Sequence, residues 1–125
     1  MKKPSSGISI AAMAVALAMR CAAAADAEAG KAVFARHCQT CHGGTGPADS
    51  GIGPDLAGIV GRQPGSAGTG VHSLAIQEVG AVWTRDTLRR FLSEPSRAVP
   101  GTVMPVRVTD PAERELLLDY LETLR

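Results

Sequence analysis

Aromatic residues are scarce in this chain: one Trp, one Tyr and two Phe among 125 residues. A domain of this size needs apolar bulk to offset the entropy of folding, and large rings normally supply much of it. Cysteine is sparse as well. There are three, and two of them, Cys38 and Cys41, stand within one helical turn, so a disulfide framework cannot replace the missing rings. An excess of charge of one sign is lacking too. Lys and Arg number 13 against 12 Asp and Glu, a formal net charge of +1. Without a basic stripe, nucleic acid and anionic membranes are poor partners. The single long apolar run, Ile8 to Met19, is too short for a comfortable membrane span. A buried cofactor is the remaining source of apolar bulk.

That apolar run has another reading. Lys2 and Lys3 precede it, and small residues, Ala22 to Ala25, follow it before the acidic Asp26. Positive start, apolar stretch and a small-x-small site at Ala23-x-Ala25 make a signal peptide over residues 1–25, with the domain at 26–125. An uncleaved anchor is the alternative, and Arg20 blurs the exact cut. Cleavage changes the inventory. It removes Lys2, Lys3 and Arg20, leaving 10 basic against 12 acidic residues, a formal charge of −2. It also leaves two Cys and a single Met, Met104.

The mature chain reads as all-α with long loops. Asp26 is the expected N-cap of the first helix, with Gly30, Val33, Phe34 and His37 on one side. Gly30 costs about 1 kcal/mol inside a helix relative to Ala, which points to close approach of another helix. From Gly43 to Gly70 the chain is rich in Gly, Pro, Ser and Thr, without strand alternation. A loop this long in a small domain suits a wrap around a cofactor. A short helix is expected over residues 73–79. Thr84 should cap the next helix, with Trp83 and Leu88 at staple positions and Pro95 as its stop. The last helix should open at Asp110-Pro111, with Glu113 at its third position and Leu117, Tyr120, Leu121 and Leu124 as its buried stripe.

Cys38-Gln39-Thr40-Cys41-His42 is the C-x-x-C-H pattern of covalent c-type haem attachment. Two thiols separated by two residues can form thioethers with the two vinyl groups of one porphyrin. The adjacent His42 then offers an imidazole nitrogen to the iron. Its other nitrogen should donate to a backbone carbonyl, which the Gly53-Pro54-Asp55 stretch could supply. Three other uses of these residues compete: a redox dithiol, a zinc site recruiting His37 and His72, and a plain Cys38–Cys41 disulfide. The first lacks a βαβ setting and the second lacks a second ligand pair. For the second axial position the candidate is Met104, which follows Pro100-Gly101-Thr102 in a loop where core filling explains it poorly. His72 would give bis-His ligation instead. His37, on the attachment helix, cannot easily cross to the other face.

With CQTCH at 38–42, GPDLAGIVGR at 53–62, Trp83 opening a helix and VPGTVM at 99–104, the sequence resembles class I cytochromes c, the mitochondrial type and its bacterial relatives, over nearly all of residues 27–125. The resemblance implies three main helices, with short helices and long loops, wrapped around one haem c. It implies that the first and last helices cross, Gly30 and Phe34 against Leu117 and Tyr120. It places Pro54 as the carbonyl that orients His42, Arg62 and Trp83 near a haem propionate, and Thr102 beside the Met104 loop. The expected function is electron transfer in the periplasm between a donor and an acceptor redox protein, by a monomer that is not an enzyme. A dedicated cytochrome subunit of a periplasmic dehydrogenase is the alternative; an open-site haem enzyme or sensor would need Met104 off the iron. Three departures stand out. His72 and Phe91 occupy places where the family often has Tyr, and Lys31 is the sole lysine left after cleavage, so a lysine-rich docking face is missing. We expect His72 to couple the haem potential to pH through its charge.

Overall fold

The computed structural model describes residues 9–44, 51–68 and 70–125. Among the described residues six helices follow in order: α1 (Ile10–His37), α2 (Gln39–His42), α3 (Leu74–Gln77), α4 (Arg85–Ser93), α5 (Pro95–Ala98) and α6 (Pro111–Thr123). Among the described residues there is no strand. The stretches 43–44 and 51–68 are irregular, as expected; the rest of that loop, 45–50 and 69, lies outside the described residues.

The first helix departs from expectation. It does not open at Asp26 but runs unbroken from Ile10, with Ser9 as an N-cap that makes no side-chain bond. Residues 10–25 are rich in Ala, Met and Leu, strong helix formers without a breaker, so nothing interrupts propagation into Asp26. Asp26 is therefore an interior helix residue while that segment is present. The segment contributes nothing to the core. Its large side chains are exposed, Ile10 at 85% and Met19 at 70%, and the first buried residue of α1 is Gly30.

Packing centres on the crossing of α1 and α6. A Cβ on Gly30 would lie 1.9 Å from the Leu116 carbonyl oxygen, so the helices touch backbone to backbone there. Phe34 packs edge-on against Tyr120 with centroids 5.4 Å apart. Leu117, Leu118, Tyr120 and Leu121 fill the α6 side; Leu118 belongs to the buried stripe and Leu124 is only half-buried. Asp110 caps α6 by accepting from the Ala112 and Glu113 amides at 2.7 and 3.0 Å. The Glu113 side chain turns away from that cap to Arg36 and His37 at the end of α1.

Helix α4 is closed by a reciprocal cap. The Thr84 hydroxyl accepts from the Thr87 amide, and the Thr87 hydroxyl accepts from the Thr84 amide at 2.8 Å. Pro95 ends α4 and also starts α5, because its fixed φ suits a first helical position. Arg85 braces α4 on α6 through Glu115, Asp119 and Glu122, at 3.0, 2.8 and 3.0 Å. Arg89 joins Glu115 at 2.6 Å and also contacts Asp86. Arg89 first, and Arg85 after it, hold the Glu115 carboxyl down to about 2.

Candidate functional site

Between the α1–α6 frame and the loops lies a cavity of about 390 Å³. Cys38, Cys41, His42, Pro54, Arg62, Trp83, Thr102 and Met104 all line it, as do His72 and Phe91. Residues 66 positions apart in the chain thus share one predominantly apolar wall, completed by Leu56, Ile59, Ile76, Leu88 and Leu92.

The attachment segment begins where α1 stops. Cys38 ends the long helix and starts the single turn α2, its amide on the Phe34 carbonyl at 2.8 Å and its carbonyl accepting from His42 at 2.9 Å. This break in direction brings Cys38, Cys41 and His42 to the same cavity. Both thiols are free. Burial, and after it the neighbouring Cys41, pushes the Cys38 thiol up to about 12, so it stays protonated at neutral pH. The third cysteine, Cys21, is exposed on the outer part of α1. Among the described residues no three His, Cys, Asp or Glu side chains gather as a metal site.

His42 is held from its back. Its Nδ1 donates to the Pro54 carbonyl at 2.7 Å, leaving Nε2 available for a metal. The strand of loop that carries this carbonyl lies very close. A Cβ on Gly53 would sit 2.9 Å from His42 Nδ1, and the Gly53 amide donates to the Cys41 carbonyl at 2.7 Å. A second loop backs the first. Gly70, at φ +77°, packs so tightly that a Cβ there would be 2.3 Å from the Gly53 carbonyl carbon. Gly70, the Gly53–Pro54 peptide and the His42 ring form a three-layer stack. Gly70 carried no signal beyond its glycine identity, and the contact is to residues far away in sequence.

The Met104 side is built by a turn. The Thr102 amide donates to Val99 O at 3.1 Å across Pro100-Gly101, and Gly101 at φ +90° fills the position that requires a left-handed residue. The Thr102 hydroxyl then accepts from the Met104 amide at 3.3 Å. The two imidazoles that compete for ligation have other partners: His37 Nε2 with Glu113 at 3.3 Å, His72 Nε2 with the Ala67 carbonyl at 3.0 Å. Arg62 is half-buried and donates to the Asp55 and Ala57 carbonyls at 2.6 and 2.7 Å. Burial lowers its pKa, with the Asp55 charge opposing that shift. Trp83 lies beside Phe91, centroids 5.1 Å apart, and its amide pairs with the Arg62 carbonyl at 2.9 Å.

The sequence profile described as cytochrome c matches residues 27–125. The chain belongs to the cytochrome c family, class I. It is 40% identical to cytochrome c type-1 of Ascaris suum over 98 residues, covering 78% of this chain and 87% of that protein. It is 35% identical to cytochrome c2 of Rhodopseudomonas palustris, covering 94% of each. Among solved structures it matches cytochrome cH from Methylobacterium extorquens at a TM-score of 0.69 and 34% identity, over 78% of this chain and 97% of that one. The fold is thus the all-α cytochrome c fold, and its cofactor is haem c attached through Cys38 and Cys41. This cytochrome's cavity fits the group: two thiols, an oriented imidazole and a thioether all line it, among predominantly apolar side chains.

Proposed function

We propose that this cytochrome is exported, loses residues 1–25, and carries electrons in the periplasm between two redox proteins with His42 and Met104 as axial ligands. Haem binding and electron transfer come with the family; location and ligand set are our reading. One observation carries the ligand set: Met104 shares the cavity with His42, and although His37 and His72 line it too, the Nε2 of each is already paired, with Glu113 and with the Ala67 carbonyl. The bound haem supplies a one-electron couple that cycles between ferric and ferrous. The chain's residues do the rest. Pro54 fixes the His42 tautomer and raises its basicity. Thr102 stiffens the loop that presents Met104. The apolar wall excludes water, and Arg62 and Trp83 offer donors suited to a propionate. With His42 and Met104 both holding the iron, no substrate would have a place at it, which argues for a carrier over an enzyme or sensor.

The decisive measurement is the optical and redox titration of protein made with a haem-ligation system. A Met-to-iron charge-transfer band in the ferric spectrum, lost together with a drop in potential in Met104→Ala, is expected. Its absence from the parent protein overturns His–Met ligation. Processing is supported by the exposed, core-free segment 10–25, whose removal costs no buried contact. A retained tether is the competing reading, because α1 is long and apolar enough to cross a membrane. The mass of the exported protein decides between them: a chain starting at Asp26 in the soluble fraction, or the intact chain in the membrane.

A further inference from the structure

The predicted cleavage site sits inside a helix. Residues 22–25, which supply its small side chains, lie in the interior of α1, and no Gly or Pro occurs between Ile10 and Ala29. Ala is the strongest helix former, so the residues that suit a signal peptidase also hold the site helical. Recognition of a peptide as an added strand needs an extended chain with its main-chain N–H and C=O groups free. In a helix those groups are bonded to one another, and the rise is about 1.5 Å per residue against about 3.3 Å in a strand.

Both ends of α1 have something to hold them. On the C-terminal side, Gly30 lies against Leu116, Phe34 against Tyr120, and Arg36 and His37 share Glu113. Gly30 follows Ala25 by five residues, about 7.5 Å along the helix, so the packed domain begins beside the bond to be cut. On the N-terminal side, Ile10, Met13, Val15, Leu17 and Met19 are all at least 61% exposed, and α1 is apolar enough to enter a bilayer. A helix with one free end frays from that end at little cost. One held at both ends has to open in its middle, which breaks several hydrogen bonds at once.

We infer that processing is gated by folding: the peptidase reaches the site only while α1 is undocked from α6, and a chain that docks them first keeps residues 1–25 as a stem holding the haem domain at the membrane. The bond cut is the Ala25–Asp26 amide, and water leaves a carboxylate on Ala25 and an amine on Asp26. Release therefore depends on which comes first, cleavage or closure of the α1–α6 crossing. The inference rests on the processing reading above, which supplies the site; it adds when that site is open.

The test follows the full-length, haem-loaded chain, accumulated in cells whose signal peptidase is inhibited, and reads its conversion by mass once the inhibitor is removed. The parent should be cleaved at least about tenfold more slowly than Ala27→Pro. That proline breaks the helix across the site, yet suits the first position of a helix opening at Asp26, so the packed part of α1 is kept. Glu28→Gly combined with Ala29→Gly loosens the same turn without proline and should speed cleavage roughly threefold. Gly30→Val, which pushes α1 off Leu116, should speed it by a similar factor with no change in the site itself. Glu28→Gln keeps the helix and should stay within about twofold. Without inhibitor, the parent should leave a full-length, haem-loaded membrane fraction that Ala27→Pro reduces at least about fivefold. Visible spectra matching the parent show that the haem domain is intact in each variant. Equal rates for the parent and the opened variants overturn the inference. So does a parental rate in Gly30→Val, which would leave helicity but not docking as the gate, and so does a parent recovered wholly in the soluble fraction. If no variant yields a chain starting at Asp26, the processing reading itself is removed, and this is seen before any rates are compared.

Discussion

Helices α1, α4 and α6 meet directly, side chain to side chain and at Gly30 backbone to backbone, whereas the loops of the cavity wall are tied largely by side chains that donate to main-chain carbonyls around a space of about 390 Å³. In the frame, Gly30 touches Leu116, Phe34 touches Tyr120, and Arg85 and Arg89 clasp Glu115. In the wall, Pro54 O receives His42, Ala67 O receives His72, and the Asp55 and Ala57 carbonyls receive Arg62. A frame of this kind completes itself. The wall places polar contacts precisely; Ile59, Trp83, Leu88, Phe91 and Leu92 belong to the common core, while Leu56, Ile76 and Met104 are only partly buried and are the faces an attached haem would cover.

The largest test of this contrast removes attachment. Unfilled apolar volume destabilises a fold, and a cavity of about 390 Å³ is large for a small domain whose whole stability is on the order of 5–15 kcal/mol. Cys38→Ser combined with Cys41→Ser should therefore abolish cooperative thermal unfolding and near-UV circular dichroism while leaving some helical signal. A cooperative transition in that variant would show the wall to be self-sufficient. Next, Gly30→Val should break the frame, since even a Cβ meets the Leu116 carbonyl oxygen at 1.9 Å. Overpacking of this kind costs about 3 kcal/mol or more, read as a lower denaturant midpoint, with an unchanged haem spectrum in the protein that remains folded.

Smaller effects separate strain from positioning. Gly61 and Gly70 both have positive φ, +88° and +77°, but a Cβ at Gly61 meets nothing within 4 Å. Ala at either site should cost about 1–2 kcal/mol of backbone strain. Only Gly70→Ala should also shift the redox potential, because it pushes the peptide that orients His42. Equal potentials in the two variants would dissolve the three-layer stack as a positioning device.

On the frame, Glu115 has a folded pKa of about 2, below its unfolded value. Its stabilisation is thus fully present above the unfolded carboxylate range near pH 4.3 and is lost as pH falls toward 2. The group is exposed, so Glu115→Gln should cost about 1 kcal/mol or less at neutral pH and flatten acid unfolding in that window. The mildest effect is expected on the wall at His72. Positive charge beside the haem favours ferrous iron, so His72→Phe should change how the potential depends on pH. Identical profiles would exclude His72 as the coupling group.

Signals carried by neighbours in sequence survived into the structure: the caps at Thr84 and Asp110, the turn at Pro100-Gly101 and the buried faces of α1 and α6. Local reasoning went astray where two local options compete. Asp26 is a good cap, but the Ala-rich segment before it propagates a helix equally well; Pro95 stops one helix and starts another. Glu113 was placed correctly at its helix position, yet its carboxylate goes to Arg36 and His37, more than 70 residues away.

The scarcity of rings and the spacing of Cys38, Cys41 and His42 pointed to a bound haem, because covalent attachment is a matter of short-range spacing, and the resemblance carried by the motif blocks implied the all-α cytochrome fold. The tertiary structure alone decided how the wall is held: Gly70 against the Gly53–Pro54 peptide, and His37 and His72 drawn to other partners. Those arrangements join loops without periodicity, whose neighbours are set by tertiary packing and not by local sequence.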